Sequence, residues 1–175
     1  EKEFWQFENK DLEGCNELLN ITAPHILEKI YENYAISGAN FISTNTFGSM
    51  PWVLEDYEIG HMSYELSKLA AISAKKICEK YHTKDEPKFV LASIGPGTKL
   101  PSLGHITYDS MYEGYKTMAS GLVDGGTDVF LLETCQDPLQ IKAALHALND
   151  TAPNIPIMVS VTIELNGTML IGTDA

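Results

Sequence analysis

Basic residues are scarce in this chain. Twelve Lys and Arg stand against 24 Asp and Glu, a net charge of −12, and no basic stripe offsets the balance. A polyanion such as DNA or RNA would be repelled, so no nucleic-acid partner is expected. Cysteine is scarcer still. Cys15, Cys78 and Cys135 lie far apart and are odd in number, which suits neither a disulfide framework nor the close spacing of a zinc motif. Free thiols in a reducing cytosol are the simple reading, and a cytoplasmic protein the corresponding expectation. Long apolar runs are missing as well. None approaches the roughly 20 residues that cross a bilayer, so no membrane partner is expected. The amino terminus, Glu1-Lys2-Glu3-Phe4-Trp5, lacks the basic-then-apolar order of a signal peptide. It also begins without Met, and residues are expected upstream. Repeats, low-complexity tracts and linkers are absent too.

What remains is an ordinary globular composition, 44% apolar and 21% charged over 175 residues, enough for one domain with its own core. One alternation recurs along it, a helical pattern followed by a short apolar run. Thr22-Ala23-Pro24 starts a helix, with Pro where its missing N–H does no harm. Ile26, Leu27, Ile30, Tyr31 and Tyr34 then fall at helical spacing, and Ser37-Gly38 stops the run. Residues 39–44 (ANFIST) read as a buried strand. A long helix is expected from Glu55 or Asp56 to about Tyr81, with an irregular start near Gly60 and an apolar stripe of Leu66, Leu69, Ala70, Ala74 and Ile77. Residues 88–93 (KFVLAS) form the next strand, followed by a loop rich in Gly and Pro. Thr107 caps a helix to about Asp124, ended by Gly125-Gly126. Residues 128–133 (DVFLLE) are the third strand. Asp137-Pro138-Leu139-Gln140 combines an N-cap, a first-turn Pro and a Gln placed to close a capping box. Residues 156–162 (PIMVSVT) are the last clear strand, and residues 165–175 stay unassigned.

Apolar strands separated by helices indicate an α/β fold with a parallel sheet buried on both faces. Two architectures fit: an open doubly wound sheet, or part of a (β/α)8 barrel with about four βα units present. A complete barrel needs roughly 250 residues, so the barrel reading makes residues 1–175 a fragment of one domain.

Polar residues gather just after each strand, in Thr44-Asn45-Thr46-Phe47-Gly48, Ser93-Ile94-Gly95-Pro96-Gly97-Thr98, Glu133-Thr134-Cys135-Gln136-Asp137 and Ser160-Val161-Thr162-Ile163-Glu164. In parallel α/β folds these ends share the rim where ligands bind, and this set suits a small polar molecule. Some of these side chains have a plainer role open to them. Asp137 reads as a helix cap, while Thr46, Ser93 and Thr162 fit either ligand contacts or loop hydrogen bonds. Glu133 closes an apolar strand, where a carboxylate needs a cationic or hydrogen-bonding partner. A substrate ammonium suits it, and Lys99 is the structural alternative. The Gly-Pro-rich loop fails the spacing of a Walker A loop and lacks a dinucleotide fingerprint. The five histidines are scattered, and no Gly-x-Ser-x-Gly elbow is present. His105 lies in the loop after the second strand.

These segments resemble the homocysteine S-methyltransferase family, in particular the amino-terminal homocysteine-binding barrel of cobalamin-dependent methionine synthases. The likeness runs through Gly14-Cys15-Asn16-Glu17-Leu18-Leu19-Asn20, Thr44-Asn45-Thr46-Phe47-Gly48 and Ser93-Ile94-Gly95-Pro96. It continues in residues 98–104 (TKLPSLG), 133–137 (ETCQD), 157–162 (IMVSVT) and 167–170 (GTML), and so covers nearly the whole chain. The resemblance implies a barrel that holds homocysteine as a zinc-bound thiolate for methyl transfer from methylcobalamin. It implies that Glu133 holds the substrate amino group, with Asn45, Thr46 and Ser93 on matching substrate-binding rim segments. Homocysteine, and the cobalamin and methyltetrahydrofolate modules of the parent enzyme, are the partners implied. The family's first strand, with its Asp-Gly-Ala-Met-Gly-Thr turn, is expected upstream of Glu1. Its three zinc cysteines follow the sixth and eighth strands, beyond Ala175, and Cys15, Cys78 and Cys135 do not match them. Zinc and cobalamin are therefore expected of the complete enzyme, with neither bound nor methyl transfer performed by this chain alone. A half-barrel would expose sheet edges, which predicts a homo-oligomer or a repacked, non-barrel form. A non-catalytic α/β binding module, another homocysteine S-methyltransferase-type enzyme and a different doubly wound enzyme are the alternatives.

Overall fold

The structure, a computed structural model, describes residues 2–174. Glu1 and Ala175, on which the reading of the two chain ends partly rests, lie outside the described residues. A small antiparallel pair, β1 (Gln6–Phe7) and β2 (Lys10–Asp11), leads into α1 (Leu19–Thr22) and α2 (Pro24–Ile36). The chain then runs through β3 (Phe41–Ser43), α3 (Pro51–Leu54), α4 (Ser63–Tyr81) and β4 (Phe89–Ile94). It ends with α5 (Tyr108–Asp124), β5 (Val129–Cys135), α6 (Pro138–Thr151) and β6 (Ile157–Val161).

Strands β3 to β6 form one parallel four-stranded sheet in strict chain order. That order decides where the helices go. In a doubly wound sheet the strand order reverses and helices cover both faces. With no reversal, crossovers of one hand place every helix on the same side. Helices α2, α4, α5 and α6 accordingly pack one against the next. Ile42, Val90, Ala92, Ile94, Phe130 and Leu132 are buried beneath them. The alternate residues Phe41, Phe89 and Met158 are exposed on the other face. The expectation of a sheet covered on both faces is corrected here: both faces carry apolar side chains, so the strands read as continuous apolar runs, yet only one face is covered.

The main core fills the space between β4, β5, α5 and α6, around Phe130, Leu132, Met118 and Leu122. A second cluster joins α2, α4 and β3 through Leu27, Tyr31, Ile42 and Ile77. The helix starts follow their sequence signals in part. Pro24 and Pro138 occupy first-turn positions, and Thr107 accepts from the Ser110 N–H. The Thr22 hydroxyl instead donates to the Phe4 carbonyl at 2.7 Å, leaving Ala23 at the cap of α2. The long helix begins at Ser63, not at Glu55 or Asp56. Glu55–Tyr57 and Gly60–Met62 are separate 3-10 turns, broken by Glu58 in left-handed backbone. A Cβ at Gly60 would lie 2.8 Å from the Pro51 carbonyl oxygen, so that close approach needs glycine. Among the described residues no helix is long and apolar enough to cross a membrane.

Candidate functional site

The carboxyl ends of β3, β4 and β5 are tied together by one hydrogen-bonded chain. The Ser93 N–H donates to Thr44 Oγ1 at 3.1 Å, and Thr46 Oγ1 donates to the Ser93 carbonyl at 2.6 Å. With the Thr46 proton committed, the 2.6 Å contact between the two threonine hydroxyls has Thr44 as its donor. Ser93 Oγ then donates to Glu133 Oε1 at 2.6 Å. Thr44, Thr46 and Ser93 are buried and Glu133 is half-buried. The chain of hydroxyls therefore ends on a carboxylate at the uncovered face of the sheet. Its second oxygen takes no hydrogen bond from the described residues, and Lys99 forms no ion pair with it among them. Among the described residues the side-chain partner of Glu133 is Ser93.

Asn45 faces elsewhere. Its Nδ2 donates to the Asn16 carbonyl at 2.7 Å, its N–H donates to the Tyr31 hydroxyl, and its carbonyl accepts from Asn20 Nδ2 at 2.8 Å. These bonds stitch the β3 loop to the segment before α1, to α1 and to α2. Of the four rim candidates, the structure brings Thr46, Ser93 and Glu133 together and commits Asn45 to holding the loop. Thr162 continues the sheet, its N–H donating to the Cys135 carbonyl at 2.9 Å. Thr44 is the contributor that sequence reasoning did not single out; its place in the same Thr-Asn-Thr segment was the available signal.

Asp137 is a cap and more than a cap. Its Oδ1 accepts from the Leu139 N–H at 2.8 Å and from Ser102 Oγ at 2.7 Å, and its Oδ2 accepts from the Ser102 N–H at 2.9 Å. This buried carboxylate pins the loop after β4 to the start of α6. Gln140 does not close a capping box. Its Nε2 turns inward and donates to the Tyr115 hydroxyl at 2.9 Å, which donates to the Gly95 carbonyl at 3.1 Å. Burial pushes the Tyr115 hydroxyl well above the ordinary tyrosine range. Gly97 has φ +71°, and a Cβ there would run into the Trp52 indole, which sits edge-on to Tyr115 at 4.9 Å. The Gly-Pro-Gly loop is thus packed down on aromatic rings. His105 serves the same loop, its Nδ1 accepting from the Leu100 N–H at 3.3 Å.

The thiols are set apart from this rim. Cys15, Cys78 and Cys135 are buried in three different core clusters. Loss of hydration on burial pushes each of them up to about 11. Among the described residues no group of three or more His, Cys, Asp and Glu could hold a metal ion. A zinc centre does not fit the donors described here.

The sequence profile of the homocysteine S-methyltransferase family matches residues 1–175. The methionine synthase of Mycobacterium leprae is 44% identical over 169 residues, covering 94% of this chain. That of Mycobacterium tuberculosis is 43% identical over the same length. The chain spans only 14% of each of these relatives. Among solved structures, the metallated form of the Escherichia coli homocysteine methyltransferase MmuM matches with a TM-score of 0.80 and 19% identity, over 94% of this chain and 62% of that one. Its oxidized form matches with a TM-score of 0.75 and 20% identity, over 89% and 57%. At these identities the structures speak for the α/β fold alone, while the profile match across its whole length shows that the chain belongs to the homocysteine S-methyltransferase family.

Proposed function

We propose that this chain forms part of the homocysteine-binding module of a methionine synthase, the enzyme that methylates homocysteine from 5-methyltetrahydrofolate by way of cobalamin. The observation that carries the reading is the Glu133 carboxylate at the strand-end rim, held through one oxygen by Ser93. A carboxylate held through one oxygen by a neutral hydroxyl has its other oxygen available to a cation. The ammonium of an α-amino acid such as homocysteine has that charge and donor geometry. In this reading Glu133 binds the substrate amino group, Ser93 orients Glu133, and Thr46 and Asn45 hold the loop beside the substrate. The strict strand order supports an arc of a (β/α)8 barrel, with about four βα units in residues 1–175 of a single domain.

Zinc would supply thiol activation in the complete enzyme, and cobalamin would carry the methyl group. The donors described here do not fit zinc, so the chemistry assigned to this chain is binding and orientation. The cobalamin and methyltetrahydrofolate modules belong, in this proposal, to the rest of a longer protein. Equilibrium dialysis of labelled L-homocysteine against the intact gene product tests the assignment. Saturable binding, displaced by unlabelled homocysteine, is the expected result, and its absence overturns the reading.

A further inference from the structure

Gly95 is the first residue beyond β4, and the ring of Phe47 occupies the space a side chain would take there. The Gly95 N–H donates to the Phe47 carbonyl at 3.0 Å. A Cβ at Gly95 would lie 2.5 Å from that carbonyl oxygen and 3.0 Å from both Cε atoms of the ring. Equal distances to the two Cε atoms, with no ring atom nearer, set the glycine under a face of the ring and not at its edge. Phe47 is nevertheless 46% exposed, so the face turned away from Gly95 is left to solvent. The ring belongs to none of the three core clusters, and core packing does not account for it.

The strand register places this ring beside Glu133. Ser93 pairs with Leu131 and Ile94 with Leu132, so the next step sets Gly95 against Glu133. Alternation along β4 gives Gly95 the face of Ser93, the face on which Ser93 Oγ meets the Glu133 carboxylate. Neighbouring strands lie about 4.8 Å apart. The ring over Gly95 and the carboxylate therefore flank one space at the rim. One wall is the carboxylate oxygen that takes no hydrogen bond from the described residues, and the other is an aromatic face, which carries negative charge density. An ammonium suits both walls, giving an N–H to the oxygen and its charge to the ring. A neutral group gains little from either.

We infer that Phe47 is a specificity-determining residue that touches the substrate: its open face takes the ammonium by a cation–π contact while Glu133 accepts a hydrogen bond from it. The inference rests on the homocysteine reading of the rim. Calorimetry on the intact gene product compares the affinities for L-homocysteine and its des-amino analogue 4-sulfanylbutanoate. The parent protein should favour homocysteine by about tenfold or more, as a charge-assisted hydrogen bond requires. Phe47→Leu keeps apolar bulk and removes the aromatic face. It should cut the preference by about threefold to tenfold, the range of a cation–π contact, by weakening homocysteine alone. Phe47→Tyr keeps the face and should keep the preference. Pentafluorophenylalanine in place of Phe47 keeps the ring's shape but reverses the charge of its face, and should cut the preference as leucine does.

A leucine variant with the parent's preference overturns the inference. So does one that weakens both ligands alike, the result of a packing role alone, and so does a tyrosine variant that loses the preference. A pentafluorophenylalanine variant that keeps the preference has the same force, and it decides alone where the leucine variant does not fold. A parent protein that binds neither thiol, or both equally, removes the homocysteine reading itself, and the inference falls with it.

Discussion

Ser93 Oγ donates to Glu133 Oε1 at 2.6 Å and so joins the ends of two adjacent parallel strands. In register Ser93 pairs with Leu131, which places Glu133 two residues farther along β5. Residues 93 and 133 project from the same face, and the hydroxyl orients the carboxylate. Replacing Ser93 with Ala should lower homocysteine affinity by about threefold to tenfold. It should also lower stability by about 1 kcal/mol, the net value of an ordinary hydrogen bond. Titration calorimetry and urea unfolding read the two effects. An unchanged affinity would show that Glu133 is oriented by something else.

Asp137 makes a larger structural contribution, because one buried carboxylate serves the start of α6 and the loop after β4 together. Asp137→Ala loses a helix cap and leaves two N–H donors unpaired, for an expected destabilisation of about 3 kcal/mol. Freed of its anchor, the loop should be cut at Lys99 by trypsin faster than in the parent protein. Equal cleavage rates would count against the anchoring role.

Gly97→Ala should destabilise by about 2 kcal/mol or more, since left-handed backbone alone costs about 1–2 kcal/mol and the new Cβ collides with the Trp52 indole. Thermal unfolding measures the loss. A variant as stable as the parent would mean that the loop relocates at little cost.

The buried thiols predict a loss of stability at alkaline pH. Burial favours the neutral form, raising Cys15, Cys78 and Cys135 from 9.0 to about 11 in the folded chain. A folded value above the unfolded one means that the contribution is complete below pH 9 and is lost as pH climbs toward 11. Urea midpoints measured at intervals from pH 8 to 11 should fall steadily across that window. In the folded protein at pH 8 the thiols should react with a disulfide reagent only as fast as the chain opens.

Much of this fold was legible in the sequence because its signals are local. The prolines that start α2 and α6, Thr107 and Asp137 as caps, and the glycines after α5 each act through their immediate neighbours. The placement of Thr46, Ser93 and Glu133 on one rim followed from parallel α/β topology. What escaped was decided at a distance. Asn45 stands in a rim motif but bonds to Asn16, a partner visible only when the segment before α1 folds back. Gln140 has the spacing of a capping box but finds the Tyr115 hydroxyl across the core. Thr134 has left-handed backbone, φ 55°, beside a register shift between Leu132 and Cys135, and it leaves no mark in composition or period because that shift exists only against β6. The uncovered sheet face was hidden for a similar reason: apolar residues on both sides mask which side the helices choose.

In the proposed function Glu133 receives the amino group of homocysteine at this rim. Calorimetric titration of L-homocysteine into the intact gene product, beside its Glu133→Gln variant, tests it most directly. Glutamine preserves the size of the side chain and an acceptor oxygen while removing the charge, so the fold and the contact with Ser93 should persist. Affinity is predicted to fall about tenfold to a hundredfold, as expected on losing a charge-assisted hydrogen bond to an ammonium. A Glu133→Gln variant that binds homocysteine as tightly as the parent would contradict the account.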